Sequence, residues 1–153
     1  MRILPVIFAL LLLLGCDDSW DHYAKRLTTK EPASKDIVGS YTLTSQTIIA
    51  NDMAFLHGQV CRLELQTDGS FTVTNYPVWT NSQLLGLIST DGRWQCSTVG
   101  IVDGDQDVWG IRFSDTDNII DLLSFMGKAA PYDLMMTYGD GDENKVMIFK
   151  KDK

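Results

Sequence analysis

The strongest constraint on the fold is an alternation of apolar and polar residues that recurs along the chain from Ile37 onward. In residues 61–66 every second residue is apolar, and the pair Asp68-Gly69 follows two residues later. Because side chains of a β-strand alternate between two faces, this period of two indicates a strand with one buried face. An Asp-Gly pair is typical of a tight hairpin turn. The pattern therefore predicts antiparallel strands joined by short turns.

The alternating region as a whole predicts an antiparallel meander of about seven or eight strands. The predicted strands are residues 37–44, 61–66, 70–76, 93–98, 107–114, 132–138 and 145–150, and residues 119–126 form a further strand although their apolar spacing also fits a helix. A series of hairpins loses its open edges when it closes into a barrel, whereas a flat sheet keeps them. We therefore expect an all-β fold, a small up-and-down barrel.

Large apolar side chains dominate the predicted interior of this barrel. Those expected to point inward are Leu63, Leu65, Phe71, Val73, Trp94, Cys96, Trp109, Ile111 and Phe113. Aromatic rings fill space and favour a solid core, but a small barrel can also hold one small apolar ligand. The sequence leaves both alternatives open.

One predicted connection, residues 77–89, is long for a hairpin and unusually apolar. It contains Trp79, Leu84, Leu85, Leu87 and Ile88, which a merely solvated loop does not need. Two hypotheses account for these residues. The segment either plugs one end of the barrel or forms a binding lip at that end.

The N-terminus has the features of a secretory signal. Arg2 supplies a positive charge, and residues 3–14 are apolar but too few to span a membrane, which takes about 20 residues. The sequence Leu13-Leu14-Gly15-Cys16 resembles the lipobox of bacterial lipoproteins. This resemblance implies cleavage after residue 15 and fatty acylation of Cys16, with palmitate or a similar chain, as a membrane anchor.

The same resemblance bears on location. Asp17, directly after Cys16, is similar to the signal that retains lipoproteins of enteric bacteria in the inner membrane, facing the periplasm. The outer membrane is the alternative. Residues 16–36 are mostly polar, and we interpret them as a lipidated tether to a barrel domain at residues 37–153. Twenty extended residues of about 3.3 Å each reach roughly 65 Å, so this tether allows the domain to stand well away from the bilayer.

Scattered aromatic and glycine positions resemble a lipocalin-like domain of bacterial proteins. They include Gly39-Ser40-Tyr41 in the first strand, Gly92-Arg93-Trp94, residues 109–113, and a closing stretch from Pro131 to Lys150. The resemblance implies a lipocalin-like barrel over about residues 37–151. It implies no established activity.

Two cysteines remain once Cys16 is assigned to the lipid. Cys61 and Cys96 are candidate disulfide partners, because an envelope protein faces an oxidising compartment. Strands two apart in a meander lie nearly 10 Å from each other, beyond the roughly 7 Å between Cα atoms that a disulfide spans. Two buried free thiols are therefore the alternative.

The sequence carries no motif for catalysis. His22 lies in the tether, so His57 is the single imidazole of the barrel domain, and no nucleophile elbow, zinc-protease pair or phosphate loop is present. We predict that the protein is not an enzyme. We also predict no cofactor apart from the lipid on Cys16.

Asp103, Asp105 and Asp107 are weak candidates for a calcium site, because they alternate as the ligands of an EF-hand loop do. Val108 stands where that loop needs glycine, and Ser114 stands where it needs glutamate. Asp-Gly pairs also occur in hairpin turns. We therefore favour a turn here and no metal.

The net charge of the chain limits the classes of partner that it is expected to bind. The chain has 13 basic and 20 acidic residues, and removal of Arg2 with the signal leaves 12 minus 20, or -8. This excess of negative charge argues against nucleic acid as a partner. Three hypotheses remain: a membrane-anchored binding module for a protein or a small apolar ligand, an inhibitor or immunity protein against a basic periplasmic enzyme or toxin, and a structural envelope lipoprotein.

Overall fold

The strands follow one another around a closed antiparallel barrel in a computed structural model that describes residues 23–46, 58–80, 83–117, 119–138 and 145–153. The described residues include the helical turn α1 (Ser34–Ile37) and eight strands: β1 (Gly39–Gln46), β2 (Arg62–Leu65), β3 (Ser70–Thr80), β4 (Gln83–Val102), β5 (Gln106–Ser114), β6 (Leu122–Met126), β7 (Asp133–Thr137) and β8 (Val146–Lys151). The predicted all-β up-and-down barrel is confirmed, and residues 122–126 are a strand. The closed barrel is consistent with the lipocalin-like architecture expected from the resemblance.

The barrel has two ends that differ in what they carry. We call the end with the β2–β3, β4–β5 and β6–β7 connections the turn end, and β1 begins there at Gly39 while β8 finishes there at Lys151. We call the other end the arm end, because β3 and β4 continue past their neighbours there as a paired hairpin.

Alternation along the strands places one continuous core inside the barrel. Its buried members include Tyr41, Leu43, Leu63, Leu65, Phe71, Val73, Tyr76, Ile111, Phe113, Leu123, Phe125, Leu134, Met147 and Phe149. Phe71 meets Phe113 edge to face with ring centres 4.7 Å apart, and Tyr76 stacks on Phe149 at 6.3 Å. Trp94, Cys96 and Trp109 are only partly buried at the margin of this core.

Tyr41 and Lys151 hold the seam between β1 and β8. The Tyr41 hydroxyl donates a hydrogen bond of 2.6 Å to the Ile37 carbonyl, and the Lys151 ammonium lies 5.7 Å from the centre of the Tyr41 ring. The same ammonium donates to the Asp36 carbonyl. Burial, with a smaller effect of Asp133, raises the pKa of Tyr41 above its ordinary value, so the hydroxyl remains a donor at neutral pH.

A bulge in β3 separates its barrel part from its outer part. The pairing of β3 with β4 shifts between Val73 and Tyr76, and Asn75 adopts a φ of 53°. The Asn75 side-chain amide donates to the Val60 carbonyl, and its backbone N–H donates to the Ser89 hydroxyl. One extra residue at this point restores an inward orientation to Tyr76 while the strand bends. The outer part of the β3–β4 hairpin begins here.

Residues 23–28, which we call the docked segment, lie against the barrel between β5 and β6. Thr28 accepts a 2.9 Å hydrogen bond from the Trp109 N–H through its carbonyl, and its own N–H donates to the Phe125 carbonyl at 3.0 Å. Its hydroxyl donates to the Gly127 carbonyl at 2.7 Å. Thr28 therefore bridges two strands at the point where their direct pairing, which runs from Gly110 to Arg112 on β5, has ended.

The docked segment also covers an apolar cluster on the outer face of the barrel. Met126, Met135 and Val146 alternate with interior residues along β6, β7 and β8, and so point outward. They are buried together with Leu27 and Val108. The expectation of a free polar tether over residues 16–36 is therefore wrong for residues 23–28. Apolar burial and hydrogen bonds to distant strands fix that part of the chain; residues 16–22 lie outside the described residues.

Candidate functional site

The β3–β4 hairpin extends beyond the barrel as a two-stranded arm, which comprises residues 76–80 of β3 and 83–88 of β4. Its pairs run from Tyr76 opposite Ile88 to Thr80 opposite Gln83. Residues 77–89 were expected to be a long connection, and this expectation is wrong. The apolar pairs Leu84-Leu85 and Leu87-Ile88 hide the alternation, because the register shifts between Val78 and Trp79 and Gly86 takes up a φ of 150°.

One side of the arm is seated on the barrel. The Trp79 ring stacks on the Tyr138 ring with centres 5.0 Å apart and planes 26° from parallel. Val78, Leu87 and Ile88 are partly buried against the interior core. Trp79 lies opposite Leu84, one pair from the outermost described pair, so aromatic stacking and apolar burial hold one side of the arm against the barrel along its length.

Leu84 and Leu85 of the arm present apolar surface to solvent. Leu85 is 63% exposed, and Leu84 is half-buried. No charged residue occurs between Asn75 and Thr90, although 22% of the chain is charged and these 16 positions would carry about three or four charges at that rate. Strand edges and tips that face only water usually carry charge. An uncharged, partly exposed apolar arm is typical of a surface that contacts another molecule.

The interior of the barrel is solid rather than hollow where the structure describes it. A void lined by Leu63, Val73, Tyr76, Phe113, Ile120, Leu123 and Phe149 is too small to admit a water molecule. Tyr41, Tyr76, Phe71, Phe125 and Phe149 are among the largest fully buried side chains, and they occupy this space. Of the two alternatives left by the sequence, the described residues support the solid core.

Cys61 and Cys96 are free thiols, so the disulfide considered for them is not formed. Cys61 lies directly before β2. Because β2 pairs with β3 and β3 pairs with β4, the register places Cys61 at the level of residues 88–90 of β4. Cys96 is at least six residues further along β4, or roughly 20 Å at about 3.3 Å per residue, which is far beyond disulfide reach.

Neither thiol is poised for reaction. Burial raises the pKa of the Cys61 thiol to about 12. Burial, with a smaller effect of Glu31, also raises the pKa of Cys96. Because the thiolate is the reactive form, both side chains remain protonated and weakly nucleophilic at neutral pH.

Asp103 lies in the turn between β4 and β5. Asp103 and Gly104 have φ values of 53° and 87°, the conformation for which hairpin turns select Asp and Gly. Asp103, Asp105 and Asp107 are all exposed, and within the described residues no three His, Cys, Asp or Glu side chains form a group that could hold a metal. Turn chemistry accounts for Asp103.

Several residues singled out in the sequence lie outside the described part of the chain. They are Cys16, Asp17, His22 and His57. In the described part, no helix is long and apolar enough to span a bilayer.

Two contributors to the site were not expected from the sequence. Tyr138 follows β7 and supports Trp79, although the two residues are far apart in the chain. The docked segment was assigned to the tether, because Leu27 and Thr28 have no local periodicity that indicates a buried strand. No local signal identifies either feature. Comparison of the chain with models of protein families, with curated proteins and with solved structures found no match.

Proposed function

We propose that this protein is a bacterial envelope lipoprotein, anchored through lipid on Cys16, that acts as a non-enzymatic binding module and grips a protein partner with its arm. The observation that carries the proposal is the arm itself. It is uncharged, it holds Leu85 63% exposed, and Trp79 stacked on Tyr138 seats it on the barrel. A hairpin of this kind presents a fixed apolar surface at little cost in conformational entropy.

A protein partner fits the arm better than a small apolar ligand does. Apolar ligands of drug size are usually enclosed in a pocket of several hundred cubic ångströms. The void at the centre of the described interior does not admit water, and Leu85 lies exposed on the surface of the arm rather than in a cavity. A protruding apolar residue can instead insert into a groove of another protein and become a centre of binding energy.

The absence of charge on the arm also distinguishes the proposed binding module from an inhibitor or immunity protein, which would bind a basic partner through opposite charge. Charge-driven association weakens steeply as salt rises, whereas apolar contacts do not. We expect the affinity of the partner to change by less than about twofold between 50 and 500 mM salt. A loss of about tenfold or more over that range would support the charge-based alternative.

Leu85→Asp is expected to weaken binding of the partner about thirtyfold, because a charge would then have to be buried in an apolar contact. The partner is first identified by photo-crosslinking in intact cells from a photoreactive residue placed at position 85. Its affinity for the purified variant is then measured by calorimetry.

The matched control for this variant is Ile101→Asp. Ile101 is 69% exposed on β4, but it lies near the turn end of the barrel. We expect both variants to unfold with the same cooperativity as the parent and only the Leu85 variant to lose affinity. Equal affinity of the two variants for the crosslinked partner would contradict the role of the arm.

Mass spectrometry of the native protein tests the anchor separately. The expected mature chain begins at Cys16 and carries acyl chains, since two or more chains are needed for stable anchoring. Asp17 favours the inner membrane facing the periplasm, with the outer membrane as the alternative, and membrane fractionation distinguishes them. A mature chain that begins at another residue would remove the basis for an anchored module.

A further inference from the structure

The docked segment sets where the anchored chain leaves the barrel. Leu27 is 4% exposed and forms a bridge with Met126, at the end of β6 that belongs to the turn end. The Gly127 N–H donates to the Arg26 carbonyl at 2.8 Å, and the Lys128 ammonium donates to the Leu27 carbonyl at 3.3 Å. The docked segment therefore lies beside the turn end of β6, opposite to the arm.

This geometry shortens the tether. Six residues, 17–22, separate Cys16 from Tyr23, which packs against the outer apolar cluster. The seven steps from Cys16 to Tyr23, at about 3.3–3.6 Å each, span at most roughly 25 Å, compared with roughly 65 Å for a free tether of 20 residues. The point where the chain leaves the barrel must therefore stay within that distance of the lipid.

On the basis of the proposed lipid anchor, we propose that the turn end of the barrel faces the bilayer surface and that the arm points away from it. The tether holds the barrel at one end. If the barrel turned over, a tether of this length would have to run along the side of the barrel to reach the lipid. The arm is then presented to partners at the far side of the barrel from the membrane.

Charge near the point of departure has a secondary effect. Lys25, Arg26 and Lys128 are exposed around the docked segment, and cations near an anionic headgroup layer favour its approach. Asp68, Asp103 and Asp105 lie exposed at the same end and oppose them. Because these contributions are of similar size, the length and position of the tether decide the orientation.

The orientation is tested with fluorescent labels at the two ends of β7. Ala129→Cys places a label in the β6–β7 connection at the turn end, and Thr137→Cys places one at the arm end; both parent residues are exposed. Cys96→Ser serves as the background, and Cys61 is retained because it is fully buried. The full lipidated chain is reconstituted into phosphatidylethanolamine–phosphatidylglycerol vesicles that contain lipid with a nitroxide on the headgroup.

We expect quenching at position 129 to be about fivefold stronger than at position 137, since the length of a strand separates the two labels. Equal quenching, or stronger quenching at position 137, in protein that floats with the vesicles overturns the orientation while leaving the anchor intact. Protein that does not float with the vesicles overturns the anchor and, with it, the orientation.

A second variant tests the tether directly. Insertion of 20 Gly and Ser residues between Asp18 and Ser19 leaves the docked segment unchanged but restores a long tether. We expect this chain to float with vesicles and to unfold as the parent does, and we expect the difference in quenching between the labels to disappear. A difference that persists with the long tether overturns the proposal that the short tether orients the barrel.

Discussion

Phe149→Ala is expected to lower the free energy of unfolding by about 4 kcal/mol, because truncation of a buried phenylalanine removes apolar burial and leaves a cavity. Phe149 is fully buried in the interior, where it stacks on Tyr76 and lines the small central void. The new space would join that void. Equilibrium unfolding in urea, monitored by tryptophan fluorescence, measures the change.

The same variant tests whether the interior is solid. We expect benzene to raise the midpoint of thermal unfolding of the Phe149→Ala protein, because a dry apolar cavity accepts such a molecule, and to leave the parent unchanged. Ile101→Ala is the control, and it should change the free energy of unfolding by less than about 0.5 kcal/mol because Ile101 is 69% exposed. Stabilisation of the parent by benzene would show that the parent interior is not filled.

Gly110→Ala is expected to lower the free energy of unfolding by about 3 kcal/mol, at the upper part of the range for overpacked sites. Gly110 lies on β5 opposite Ser124 of β6, at one end of a pairing that covers only three residue pairs. A Cβ atom there would overlap the backbone carbonyl of Leu123 and would lie 2.6 Å from Cγ2 of Val99. The carbonyl can move only if β5 and β6 separate.

Separation of these strands should also loosen the docked segment, because Thr28 bridges them beside Gly110 through Trp109 and Phe125. We therefore expect faster amide hydrogen exchange at Thr28 in the variant. Gly100→Ala is the matched control on the adjoining strand, since a Cβ at Gly100 meets no atom within 4 Å. Gly100→Ala should shift stability by less than about 0.5 kcal/mol; equal effects of the two substitutions would argue against this packing at Gly110.

The proposals on function share one structural basis, which is the difference between the two ends of the barrel. The arm end carries an uncharged hairpin with an exposed leucine, and the turn end receives the N-terminal chain through hydrogen bonds at Arg26 and Thr28. An anchored protein with this arrangement would hold its binding surface away from the lipid. The tests at Leu85 and at the two ends of β7 examine these two properties independently.

Part of this structure follows directly from the order of residues. Alternation in residues 61–66 and the Asp68-Gly69 turn predicted the β2–β3 hairpin, and the same periodicity predicted the other barrel strands and the inward position of Phe71 and Val73. These signals are local, because a strand with one buried face needs apolar residues at every second position. Closure into a barrel followed from the regular succession of such hairpins.

Tertiary structure alone decided the arm, the docked segment and the state of the cysteines. The bulge at Asn75 and the register shift near Gly86 displace the alternation in residues 76–88, so these strands resemble a connection in the sequence. Thr28 is ordered by bonds to Gly127, 99 residues away along the chain. Pairing register keeps Cys61 far from Cys96. Local patterns specify which residues form strands, but contacts between distant segments determine how far each strand continues and what packs against it.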